Sequence, residues 1–118
     1  MSPNAYWKQA MLHRYSNFQD RASRSEYWWT SAINVLVGLI ILNLSSRSGT
    51  VGPAIALAIT VVIFIPELAL TVRRLHDTNR SGRWLFVSLV PVLGFFTLLA
   101  FMLMKGEGRT NRYGRPPN

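Results

Sequence analysis

Cysteine is absent from the 118 residues, so the chain has no disulfide framework, no thiolate nucleophile and no sulfur ligands for a metal. Acidic residues are scarce: five Asp and Glu stand against thirteen Lys and Arg, a formal net charge of +8. The most informative absence is local. Residues 27–46, 48–66 and 84–104 contain no Asp, Glu, Lys or Arg at all. A run of about 20 uncharged, mostly apolar residues matches the ~30 Å hydrocarbon core of a bilayer at ~1.5 Å per residue. The three runs show no amphipathic period, and a soluble domain of this size, hiding only about 60 to 70% of its surface, could not bury three such helices. The sequence therefore reads as an all-α integral membrane protein, one membrane domain over residues 1–118.

The charges that are present fall in residues 8–26, Arg47, residues 73–83 and residues 105–115, with Glu67 the one exception. Basic residues placed beside apolar spans are what anionic headgroups and the positive-inside rule demand, so membrane lipids are the expected partner and nucleic acid is not. The first apolar run follows a long polar lead, unlike the short basic start of a cleaved signal peptide.

Along the chain, Tyr6, Trp7, Ala10, Met11, Tyr15 and Phe18 recur at spacings of three and four, which predicts a short helix over 4–18. It would either lie in the interface with Lys8 and Arg14 at the headgroups or pack on the ends of the spans. Tyr27, Trp28 and Trp29 mark where a first span, 27–44, enters the membrane. The short Ser45–Gly49 connection makes the second span, 50–72, antiparallel to it. Pro53 falls in a first turn, whereas Pro66 removes an interior helix hydrogen bond and favours a kink. A basic loop, 73–83, leads to a third apolar element, 84–104, broken at Pro91 and Gly94, and then to a basic tail, 105–118.

Pro91 and Gly94 admit either a kinked third span or two half-helices that dip in and return. Three full spans divide the Lys and Arg residues eight against five; a re-entrant element divides them twelve against one and puts both termini in the cytoplasm. The positive-inside rule favours the second. A re-entrant turn must satisfy its backbone within protein, which a homo-oligomer makes easier.

Four stretches resemble a bacterial inner-membrane family, the one called domain of unknown function 805: F-Q-D-R-A-S-R-S-E-Y-W-W at 18–29, T-V-R-R-L-H-D-T-N-R-S-G-R-W at 71–84, V-P-V-L-G at 90–94 and N-R-Y-G at 111–114. The resemblance spans nearly the whole chain and implies location and architecture rather than a reaction. Asp20, Asn79 and Arg83 depart from its usual pattern of Gly, Gly and an aromatic. Asn79 tolerates the left-handed backbone nearly as Gly does, and Asp20 and Arg83 offer an opposite-charge pair.

The densest polar constellation is Arg73, Arg74, His76, Asp77, Arg80 and Ser81, with Arg21, Arg24 and Glu26 expected on the same side. Guanidinium forks suit phosphate, which makes a headgroup site; the competing reading is an internal network in which Asp77 and Glu26 bind the arginines. His76 and Asp77 with only His13 elsewhere are too few for a metal, and Ser81 beside His76 lacks a third group for nucleophilic catalysis. No cofactor and no enzymatic activity are expected. Glu67, within the apolar region, is a functional candidate by position; its bland reading is a salt bridge to Arg74, seven residues on and nearly on the same face. The preferred function is a structural, adaptor or anionic-lipid-interacting role through a basic cytoplasmic face. The rival readings are an oligomeric channel or small transporter, and a permeabilising stress or defence effector.

Overall fold

Three of the helical elements begin at serines, whose side chains accept a backbone N–H that the first turn leaves without a partner. In the computed structural model, which describes residues 2–47 and 49–117, Ser2 Oγ accepts from Ala5 N–H (3.2 Å) and opens α1, Pro3–Lys8. Ser23 Oγ accepts from Glu26 N–H (3.1 Å) and opens α2, Arg24–Ser45. Ser81 Oγ accepts from Arg83 N–H (3.1 Å) and opens a 3₁₀ helix, Gly82–Leu89. The remaining α-helices are α3, Val51–Asp77, and α4, Pro91–Leu103. Gly49, with φ of 64°, lies in the turn between α2 and α3.

The N-terminal helix is shorter than the 4–18 expected. α1 widens into a π-helical turn, Gln9–His13, and stops. Asn17 Oδ1 accepts from the backbone N–H of Gln19 (3.0 Å) and Asp20 (3.1 Å), which gives these donors a partner outside the helix. The segment packs against the sides of the long helices: Trp7 Nε1 donates to Asn34 Oδ1 (2.8 Å) and Thr30 Oγ1 to the Tyr6 carbonyl (3.4 Å).

The basic segment 73–83 is likewise only partly a loop. Nothing in Arg73-Arg74-Leu75-His76-Asp77 breaks a helix, and α3 continues through all five. It ends where Asn79 takes φ of 59°, so that Arg80 N–H reaches the Leu75 carbonyl and Asn79 N–H the His76 carbonyl, each at 2.9 Å. That is a Schellman closure built on asparagine instead of glycine.

α3 also runs through Pro66, whose missing N–H leaves the Val62 carbonyl without its helix partner. The Tyr15 hydroxyl donates to that carbonyl at 2.9 Å. A side chain from the N-terminal segment thus repairs the gap that a proline opens one helix away.

The third apolar element folds back on itself. The break falls at Val90, and Trp84, at the start of the 3₁₀ helix, meets Phe101, near the end of α4, edge to face at 5.2 Å. Gly94 makes the fold possible: a Cβ there would land on the Val87 carbonyl and within 2.7 Å of Ser88 Cα. The two arms measure about 16 Å and about 20 Å at ~2.0 and ~1.5 Å per residue, each shorter than a ~30 Å core.

Burial is inverted relative to a water-soluble protein. Arg73 and Arg74 are fully buried, whereas Leu89, Phe86 and Val92 are 77%, 71% and 71% exposed. α2 and α3 are long and apolar enough to cross a membrane. Their outward Leu, Ile, Val and Phe side chains suit a solvent of hydrocarbon. The buried cluster, Ala10, Ala22 and Leu70 with Tyr27 against it, sits at the polar end of the helix pair rather than at its middle.

Candidate functional site

Arg21 lies between the N-terminal segment and α2, Asp77 ends α3, and Arg74 precedes Asp77 by one turn, so all three side chains meet at the polar end of the molecule. Arg21 Nε donates to Asp77 Oδ1 at 2.9 Å, and Arg74 Nη1 pairs with Asp77 Oδ2. One carboxylate therefore bridges two guanidinium groups. The remaining donors go to backbone carbonyls: Arg21 to Arg109 (2.8 Å), Gly114 (3.1 Å) and Glu107, and Arg74 to Ala22 (3.1 Å) and Met104. One turn deeper, Arg73 Nη1 donates to Glu26 Oε1 at 2.8 Å, with both groups buried.

The C-terminal tail is the third side of this clasp. Glu107 N–H donates to the Asp77 carbonyl (2.8 Å), and Asn111 Nδ2 to the His76 carbonyl (3.0 Å). Asn111 and Gly114 exchange two backbone hydrogen bonds, each 3.0 Å, and the turn between them stacks the Tyr113 ring on the His76 imidazole at 3.7 Å and 3°. His76 Nδ1 lies 3.1 Å and 3.0 Å from the carbonyls of Gln19 and Asp20. Both partners are acceptors, so Nδ1 carries the hydrogen. Gly106 crosses so closely over Asp77 that a Cβ there would collide with the carboxylate.

The structure thus divides the sequence-predicted residues. Arg21, Glu26, Arg73, Arg74 and Asp77 are joined in internal ion pairs, and His76 holds the tail. Arg80 stands over the Phe101 ring at 4.2 Å and ties the folded-back element to the end of α3, while Ser81 serves as a helix cap. Arg24 is exposed and donates to the Leu103 carbonyl at 3.3 Å. Asp20 takes the Asn17 amide (2.8 Å) and is in none of the ion pairs of the described residues, so the expected contact with Arg83 is not among them.

Glu67 is also placed differently from expectation. Arg74 faces Asp77, and Glu67 instead accepts from Ser31 Oγ and Asn34 Nδ2 on α2, both at 2.7 Å. Asn34 and Ser31 were missed in the sequence because neither is charged, although an Asn near the middle of the run 27–46 was a signal available to be read. Lys105, Gly106 and Tyr113 were missed for another reason: a basic tail reads as a solvated end.

Beside the clasp lies an open cleft of about 240 Å³, lined by Ser23, Arg24, Ser25, Lys105, Gly106 and Glu107 among others. It sits at the N-terminus of α2, where Glu26 N–H is taken by Ser23 and the amides of Arg24 and Ser25 are the first-turn donors left. Its two carboxylates already have cations, Asp77 with Arg21 and Arg74, and Glu107 with Arg109 at 3.1 Å.

The protein family described as protein of unknown function (DUF805) matches residues 15–115. The chain belongs to the DUF805 family. It is 40% identical over 111 residues to the inner membrane protein YhaI of Escherichia coli K12, covering 94% of each chain. It is 32% identical over 115 residues to the inner membrane protein YhaH of the same strain, covering 94% of this chain and 95% of that one. No solved structure matches. In this DUF805 protein, three of the four stretches that carry the resemblance, at 18–29, 71–84 and 111–114, converge on the clasp. The fourth, at 90–94, is the fold-back turn. The chain is thus a small membrane protein of inner-membrane type, all-helical among its described residues, with two apolar helices of spanning length.

Proposed function

We propose that this DUF805 protein is a non-enzymatic membrane module that binds the phosphate of an anionic lipid at its basic cytoplasmic face. α2 and α3 span the bilayer, both termini lie in the cytoplasm, and the Gly82–Leu89 and Pro91–Leu103 arms form a re-entrant hairpin. The contact of Trp84 with Phe101 supports this topology, because it returns the chain to the end from which it left. Arg47 then stands alone among the Lys and Arg residues on the far side, as the positive-inside rule favours.

One observation carries the lipid reading: the cleft's carboxylates are already paired, while Arg24 and Lys105 remain at its rim beside the amides that start α2. Fixed amides at a helix N-terminus, together with a guanidinium and an ammonium, form a phosphate receptor at headgroup depth. Arg21, Arg73 and Arg74 do not take part, because they hold the clasp.

The test is native mass spectrometry of the protein in nanodiscs of mixed phosphatidylcholine and phosphatidylglycerol. Wild type should retain phosphatidylglycerol preferentially, and Arg24→Ala with Lys105→Ala should abolish the preference without lowering the melting temperature. Equal retention by the double variant would remove the reading.

A further inference from the structure

Glu67 is unlike the other carboxylates of the chain. Glu26, Asp77 and Glu107 each face an arginine, and Asp20 lies in an exposed turn with Asn17. Glu67 has no cation within ion-pair distance among the described residues, and its hydrogen-bond donors, Ser31 and Asn34, are neutral. It sits six residues before Arg73, about 9 Å below the arginine layer at ~1.5 Å per residue. Asn34 lies seven residues beyond Tyr27, where the first span enters, about 10 Å deep at ~1.5 Å per residue and so level with Glu67 inside a ~30 Å core.

The orientation of the amide is fixed. Trp7 Nε1 is a donor only, and it contacts Asn34 Oδ1 at 2.8 Å; Asn34 must therefore present Nδ2 to Glu67. The chain Trp7, Asn34, Glu67 thus fixes the donor to one oxygen of the carboxyl group, and Ser31 supplies the donor to the other. Asn34 and Glu67 also line a groove of about 410 Å³ between α2 and α3, whose walls include Gly38, Ile41, Ala56, Ile59, Ile63 and Phe64. That volume lies within the range of about 300 to 1,000 Å³ usual for small-molecule sites, with apolar walls and a few convergent polar groups. An acidic group in hydrocarbon without a cation is costly, and one that persists there marks a binding function by default.

From this geometry we infer that the α2–α3 groove binds a lipophilic monocation, with Glu67 as counter-ion and the aliphatic walls holding its apolar body. A lipid headgroup does not reach this depth, and a hydrated inorganic cation would have to shed its water against Ile and Phe side chains. A quaternary phosphonium or ammonium ion with bulky hydrocarbon substituents meets both demands, because its charge is spread and weakly hydrated. This site is separate from the headgroup cleft, and neither depends on the other.

The experiment is equilibrium binding of tetraphenylphosphonium to the full chain in phosphatidylcholine nanodiscs, with empty nanodiscs as the baseline. Wild type should show saturable binding, and uncharged triphenylphosphine oxide should not compete for it. Glu67→Gln should weaken binding at least tenfold. A Cβ at Gly38 meets nothing within 4 Å, so Gly38→Leu should fill the groove and abolish binding while leaving the Glu67 contacts and the melting temperature intact. Binding that survives Glu67→Gln, or equal binding of the neutral oxide, would overturn the assignment in favour of an acyl-chain groove. Unchanged affinity in Gly38→Leu would overturn it as well, and that variant decides the matter should Glu67→Gln fail to fold.

Discussion

Arg21 and Asp77 are 56 residues apart and meet at 2.9 Å, with both side chains almost wholly out of solvent. Asp77 also holds Arg74, so this one carboxylate balances two buried guanidinium groups. Removing one partner of a buried ion pair leaves an uncompensated charge and costs about 3 to 5 kcal/mol. Asp77→Asn should therefore lower thermal stability sharply in detergent, and Arg74→Ala combined with Asp77→Ala should cost less than the sum of the two. Strict additivity would mean that the two residues do not share one network.

The repair of Pro66 predicts a conditional effect. Tyr15→Phe removes the donor to the Val62 carbonyl and leaves an acceptor unmet, a loss of about 1 to 3 kcal/mol. Pro66→Ala restores the helix N–H, and in that background Tyr15→Phe should be nearly silent. A double-mutant cycle by chemical denaturation in mixed micelles checks this; equal effects in both backgrounds would show that the hydroxyl does not serve the carbonyl.

What the sequence disclosed and what it hid follow from the range of each interaction. The two long apolar helices were legible because the absence of charge over 27–46 and 48–66 is a one-dimensional signal. The break near Pro91 was legible from proline chemistry alone. The length of α3 was not, because Arg73–Asp77 has a loop-like composition while its backbone meets nothing that stops a helix before Asn79. The partner of Glu67 was hidden because the nearest cation in sequence, Arg74, is drawn away by Asp77, and the residues that replace it belong to another helix. The tail's part in the clasp was out of reach, since Asn111 and Tyr113 act on His76 through contacts about 35 residues distant.

Gly94 and Gly38 make a matched pair. Gly94→Ala drives a methyl group into the backbone of Val87 and Ser88, whereas Gly38→Ala enters open space. Forced overpacking costs about 1 to 3 kcal/mol, so the first should lower the unfolding midpoint and the second should leave it within experimental error. Similar behaviour of the two would place the fold-back turn elsewhere.

The lack of native cysteine makes topology directly measurable. Arg83→Cys and Lys105→Cys flank the hairpin and should react with an impermeant maleimide from the same side, the cytoplasmic one, while Arg47→Cys reacts from the other. Opposite labelling of positions 83 and 105 would turn the hairpin into a third span.

Tail docking can be tested at Gly106. Gly106→Val places bulk against the Asp77 carboxylate. Residues 107–117 should then become sensitive to trypsin in the intact membrane, where wild type should be cut more slowly; identical digestion rates would argue against a docked tail.

The last of the carbonyls around the Arg21 guanidinium belongs to Gly114, 93 residues further along the chain. At about 5 to 20 residues per second, synthesis separates the two by roughly 5 to 20 s, over which α2 and α3 become available for insertion while the arginines wait for the carbonyls that complete their shell. Closure of the shell therefore waits for residues 104–114, and a chain truncated between Asp77 and Met104 leaves Arg21 and Arg74 paired with Asp77 but without the tail carbonyls that take their remaining donors.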